Sequence, residues 1–107
     1  MDLKQYAIVL VNLDPTIGSE IKKTRPCVIV SPNEMNKYLN TIVLAPMTTS
    51  LKKYPTRVSV KHNEKKGMIA IDQIRTVDKA RIIRVYESLT TSEIEKCKEV
   101  IKETFVD

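Results

Sequence analysis

Histidine and phenylalanine occur once each in this sequence, tryptophan not at all, and glycine and cysteine only twice. Each shortage closes off a kind of chemistry. A single histidine, His62, rules out a two-imidazole acid–base pair within one chain, and its place among Lys61, Asn63 and Glu64 suggests an exposed turn. Cys27 and Cys97 stand far apart with no CxxC partner, so neither a zinc cluster nor a disulfide framework is indicated. Both thiols are expected in the core, and no metal or other cofactor is expected. No apolar run approaches the roughly 18 residues that span a bilayer, and the N-terminus lacks a charged-then-apolar signal pattern. The expectation is a cytoplasmic chain with no membrane association. With so little glycine, Gly18 and Gly67 are each expected where φ is positive or where a side chain would clash.

What is present suits an ordered protein. A length of 107 residues, with 42% hydrophobic and 29% charged content, fits one compact domain over residues 1–107. The formal net charge is +5, unevenly spread: residues 1–50 hold five Lys and Arg against four Asp and Glu, residues 51–85 ten against three, and residues 86–107 three against six. A basic middle followed by an acidic segment suggests a polyanion-binding face, although a solvated basic surface has the same composition.

Short runs rich in β-branched residues occupy residues 7–13, 27–30, 41–47, 57–60, 68–74 and 81–86, and each is expected to form a strand. Turn signals separate them at residues 14–18, 31–33 and 63–67, the last expected to close a hairpin. Many closely spaced strands favour a small barrel. From Thr90 the period changes: Ile94, Cys97, Ile101 and Phe105 make one stripe of a helix, with Thr90 and Glu93, or Ser92 and Glu95, as a capping box. That helix is expected to cover an open end or face of the barrel. A shorter helical turn is expected at residues 33–37.

Cations concentrate in "GSEIKKTRPCVIVSP", residues 18–32. A structural loop needs turn residues but not Lys22, Lys23 and Arg25. The connection from Asp14 to Thr24 is also long for a structureless segment, a length that tends to mark function, with a mobile surface loop as the alternative. Pro26 biases Arg25 towards extended backbone and so fixes where its guanidinium starts. A second tract, "TTSLKKYPTR", residues 48–57, sets the hydroxyls of Thr48, Thr49 and Ser50 beside Lys52, Lys53, Tyr54 and Arg57. Cations hold phosphates while an aromatic ring stacks an unpaired base, the usual division of labour on single-stranded RNA. For Tyr54 the alternative is packing against Pro55. Lys52, Lys53 and Arg57 suit phosphate contact better than base reading.

The segments "LDPTIGSE", "RPCVIVSP", "APMTTS" and "DQIRTVDK", in that order over nearly the whole chain, resemble the MazF/PemK/Kid family of toxin endoribonucleases. The resemblance implies a mainly β, α+β fold: a small SH3-like (CcdB/Kid/MazF-like) barrel with a C-terminal helix. It also implies a homodimer, metal-independent cleavage of single-stranded RNA, and neutralisation by a cognate antitoxin with an acidic segment. By motif position it gives the catalytic pair as Arg25 and Thr48. It lines the substrate groove with Gly18, Ser19 and Glu20, and with Asp72, Gln73, Arg75 and Thr76. Two departures stand out. Gln5, Tyr6 and Ala7 occupy positions where the family usually has a basic residue, glycine and an acid, and Ser19 and Ala70 stand where one subgroup has a histidine and an arginine.

Such a sparse site is chemically sufficient, because RNA carries its own nucleophile, the 2′-hydroxyl beside the scissile phosphorus. Arg25 suits a bidentate grip on phosphate oxygens that gain charge in the transition state. It is a poor general base, since a guanidinium keeps its proton far above neutral pH. Thr48 is expected to hydrogen-bond the phosphate, and Glu20 is either a candidate base or an organiser of the loop. Two other readings remain open: a non-catalytic RNA-binding or regulatory domain on the same fold, and a protein-directed toxin resembling the gyrase poison CcdB. The ending "ETFVD" lacks that toxin's aromatic–glycine–apolar pattern.

Overall fold

The computed structural model describes residues 2–106. Seven strands make one curled sheet: β1 (Ala7–Asn12), β2 (Thr24–Ile29), β3 (Thr41–Thr48), β4 (Arg57–His62), β5 (Lys65–Ala70), β6 (Arg75–Asp78) and β7 (Ile82–Ser88). Neighbours run β4-β5-β3-β2-β1-β7, with β6 beside β3. The long β3 takes two partners in succession, β6 along Thr41–Leu44 and β5 at Met47–Thr48. Between those partners the chain steps through a 3-10 turn at Ile71–Gln73.

The apolar runs are continuous because both faces of the central strands are covered. Val9 and Val11 of β1 join Cys27, Ile29, Ile42 and Leu44 in one core cluster. Ile8, from the same strand, joins Val28, Ala45, Val58 and Ile69 in a second. The second cluster is closed by α2 (Thr91–Ile101), which contributes the fully buried Cys97 and Val100. A fully buried aliphatic side chain of this size contributes on the order of 1.5–3 kcal/mol. The capping box at the helix start is formed by Thr90 and Glu93. A short helix, α1 (Asn33–Tyr38), follows β2, and the buried Asn36 amide ties it to the Leu3 and Ser31 carbonyls.

Three expectations are corrected. The run at residues 68–74 is not one strand: β5 stops at Ala70, so Asp72 and Gln73 lie on the 3-10 turn and Arg75 opens β6. The cause is the change of partner along β3, which apolar spacing does not encode. Phe105 does not continue the buried stripe of α2, because residues 102–106 widen into a π-helical turn that leaves it 57% exposed. His62 is not in an exposed turn. It ends β4 and is buried, because the hairpin closes on only two residues, Asn63 and Glu64, both at positive φ (51° and 62°). That pair of angles is the mark of a type I′ turn.

Candidate functional site

Arg25 is the second residue of β2, opposite Val11 of β1. Lys23, at φ 71°, turns the chain into the strand, and the Lys22 carbonyl accepts the Arg25 Nε–H at 2.7 Å. This anchors the planar group by one edge. Its two terminal nitrogens have no hydrogen-bond partner among the described residues, so four N–H groups are left for a ligand. Thr48 closes β3 opposite Met68 of β5. Its Oγ1 accepts the Ser50 N–H at 3.2 Å, which leaves the hydroxyl hydrogen free to donate.

Arg25 and Thr48 line one cleft of about 260 Å³ with Thr49, His62, Lys65 and Lys66. Gly67 also lines it, and a Cβ there would lie 2.9 Å from the Thr48 carbonyl oxygen. Glycine is needed here for space, whereas at Gly18 it is needed for conformation, with φ +58° and nothing nearby to clash. His62 Nδ1 lies 2.9 Å from Glu87 Oε1 on β7, and the ring meets Tyr86 edge-on at a centroid distance of 4.8 Å. Glu87's own backbone N–H and the His62 ring hold the Glu87 carboxyl below the usual carboxylate range.

The other candidate residues fall elsewhere. Ser19, Glu20, Asp72, Gln73 and Arg75 line a second cleft of about 410 Å³. Glu20 Oε1 accepts the Ile17 N–H at 2.7 Å, Gln73 Oε1 accepts the Ile21 N–H at 2.7 Å, and Arg75 donates to the Leu13 carbonyl. These bonds order the loop and pin it to the 3-10 turn. Glu20 is therefore placed to organise the loop, and it does not share the Arg25 cleft.

Lys53, Tyr54 and Arg57 border a third cleft against α2. Arg57 is already committed: its Nε and Nη2 grip the two oxygens of Asp72 at 2.8 and 3.3 Å, and its guanidinium carbon sits 5.2 Å from the Tyr54 ring centre. Burial disfavours the charged form of Asp72, but the hydrogen bonds from Arg57 and Thr56 prevail and lower its pKa. Gly18, Lys22, Lys23, Ser50, Lys52 and Thr76 are exposed and line none of these three clefts. Both thiols are buried, and burial pushes each up to about 12, so neither is a nucleophile near neutrality.

Sequence reading missed His62, Lys65, Lys66 and Tyr86 as parts of the Arg25 cleft. A two-residue turn at Asn63-Glu64 would have placed His62 inside a strand and the two lysines across from it.

Curled barrels of this kind are shared with solved toxin structures. MazF from Deinococcus radiodurans superposes with a TM-score of 0.86 at 20% identity, covering 97% of this chain and 96% of that one. An endoribonuclease from a Mycobacterial species, solved in complex with its cognate antitoxin, superposes at 0.81 with 19% identity, covering 96% and 94%. The fold class is thus that of the MazF-like toxins. In sequence, Endoribonuclease MazF of Staphylococcus saprophyticus is 36% identical over 104 residues, covering 92% of this chain and 84% of that protein. The family described as PemK-like, MazF-like toxin of type II toxin-antitoxin system matches residues 4–105. The chain belongs to this family. No described helix is long and apolar enough to cross a membrane.

Proposed function

We propose that this chain is an endoribonuclease toxin that cleaves single-stranded RNA without a metal and is held inactive by a cognate antitoxin. The observation that carries the reading is the pairing of Arg25 and Thr48 in one cleft, with guanidinium nitrogens and a hydroxyl hydrogen that have no partner among the described residues. Lys65 and Lys66 at the same cleft add positive charge where a backbone phosphate would lie. The guanidinium grips the scissile phosphate, and the grip tightens as its oxygens gain charge. The adjacent 2′-hydroxyl attacks phosphorus, the bond to the 5′-oxygen breaks, and the products carry a 2′,3′-cyclic phosphate and a 5′-hydroxyl.

Residues 1–107 act as one unit, a homodimer in the cytoplasm, where messenger RNA is available. The second cleft, with Ser19, Gln73 and Arg75, receives neighbouring nucleotides and gives the selectivity for sequence. An acidic antitoxin segment competes with RNA for the same cations. The 36%-identical relative is named as an endoribonuclease, and one structural neighbour was solved with its antitoxin, which supports both roles. The test is incubation of the purified protein with a long single-stranded RNA in excess chelator, followed by mapping of the new ends. Discrete cuts with cyclic phosphate and 5′-hydroxyl termini are expected. An intact RNA, or cutting only with added divalent metal, would overturn the reading.

A further inference from the structure

The chemistry above leaves one role unfilled: no group has been assigned to take the proton from the 2′-hydroxyl. A guanidinium is a poor base, and Glu20 lines a different cleft. His62 is the only imidazole of the chain, is 92% buried, and lines the same cleft as Arg25 and Thr48.

Its two nitrogens have different surroundings. A carboxylate only accepts, so the 2.9 Å contact from Nδ1 to Glu87 Oε1 fixes the proton on Nδ1. In the neutral ring, Nε2 is then a lone pair. Nε2 is also the sole buried side-chain nitrogen or oxygen among the described residues with no hydrogen-bond partner. An unsatisfied buried acceptor is destabilising, and an incoming hydroxyl would satisfy it.

We propose that His62 is the general base of the RNA cleavage, with Glu87 as the residue that fixes its tautomer and orientation. This rests on the ribonuclease reading above. In the step, the 2′-hydroxyl passes its proton to Nε2 while its oxygen bonds to phosphorus. The 5′-oxygen leaves with the electron pair of the broken bond and takes a proton from water. The imidazolium then returns its proton to solvent, which completes the balance. Nε2 is shielded in the free protein, so a ribose reaches it by displacing side chains at the cleft mouth, where Asn63, Lys65 and Lys66 are exposed.

The contact also has a structural role. β4 and β7 are the two ends of the sheet order, so the His62–Glu87 bond closes the barrel seam. The test must therefore read something that closing a seam would not move, and the pH dependence of kcat does so. The charged groups of the ring's own hairpin are Lys61, Glu64, Lys65 and Lys66. From other elements come Tyr86 and Glu87 on β7, Arg84 stacked over the Tyr86 ring, and Arg25 across the cleft. On α2, Glu93 accepts the Lys61 N–H.

A base must be neutral to act, so kcat should rise with pH through one imidazole ionisation and then level off. Glu87→Gln removes the carboxylate that contacts the ring while keeping an acceptor for Nδ1–H, so it should move that rising limb to lower pH. His62→Gln should lower kcat by about 10²–10⁴-fold, with RNA affinity nearly kept. Should His62→Gln fail to fold, the Glu87→Gln profile decides alone, since Glu87 is 60% exposed and its amide can still accept from Nδ1–H. Parent cleavage with a limb that Glu87→Gln leaves in place, or full kcat in folded His62→Gln, would overturn the dyad and leave the ribonuclease reading intact. A parent that cleaves no RNA would overturn both.

Discussion

At Arg25 the backbone does the positioning. Pro26 keeps it extended, Lys23 turns the chain in front of it, and the Lys22 carbonyl fixes one edge of the guanidinium. What remains free is a planar fork, and a fork grips two phosphate oxygens where an ammonium grips one. Arg25→Ala and Thr48→Ala should each reduce kcat by on the order of 10²–10³, while RNA affinity measured on an uncleavable analogue falls much less. Arg25→Lys should also be poor, and a fully active Arg25→Lys would show that bidentate recognition is the wrong account. Arg25 was singled out in the sequence by its place before a proline, and Thr48 by the resemblance carried by "APMTTS". His62 was not, because its meaning comes from Glu87, 25 residues away, through strand placement that no local pattern reveals. Arg57 was misleading for the same reason: in sequence it is a free cation, and in the fold it is spent on Asp72.

At the level of elements, the cleft depends on how β3, β5 and β4 lie together. Gly67 sets the approach of β5 to the end of β3, since a Cβ would meet the Thr48 carbonyl oxygen at 2.9 Å. Backbone has little room to give, so Gly67→Ala should destabilise the fold by about 1–3 kcal/mol and displace Thr48, with lower cleavage even at temperatures where the variant is folded. Urea unfolding together with a cleavage assay checks this, and parent-like values in both would remove the steric role. Strand periods, the α2 capping box and α1 were all readable, because each is encoded by neighbours in sequence. The break of residues 68–74 into β5, a 3-10 turn and β6 was not, since Met68, Ile69, Ile71 and Ile74 look alike whichever half of β3 they face. Phe105 was wrongly placed on the buried stripe because the π-helical turn alters the spacing after Ile101.

Across the whole molecule, the core clusters on both faces of the sheet make a rigid frame from which the charged segments project. Cations are densest in residues 51–85, which supply the β4–β5 hairpin at the cleft and β6 beside β3. Charge distribution in the sequence was enough to suggest a polyanion face, but not to show that some candidate residues divide among three clefts, one of which holds both Arg25 and Thr48, while others line none of them. The central claim is that this cleft aligns a phosphate for attack by the RNA's own 2′-oxygen. The most direct measurement uses two oligoribonucleotides spanning a mapped cut site, identical except that one has 2′-deoxyribose at the nucleotide before the cut. In excess chelator the protein should bind both with similar affinity and cleave only the all-ribose strand. Comparable cleavage of the deoxy-substituted strand would contradict the claim, since the nucleophile would then be something other than the 2′-hydroxyl.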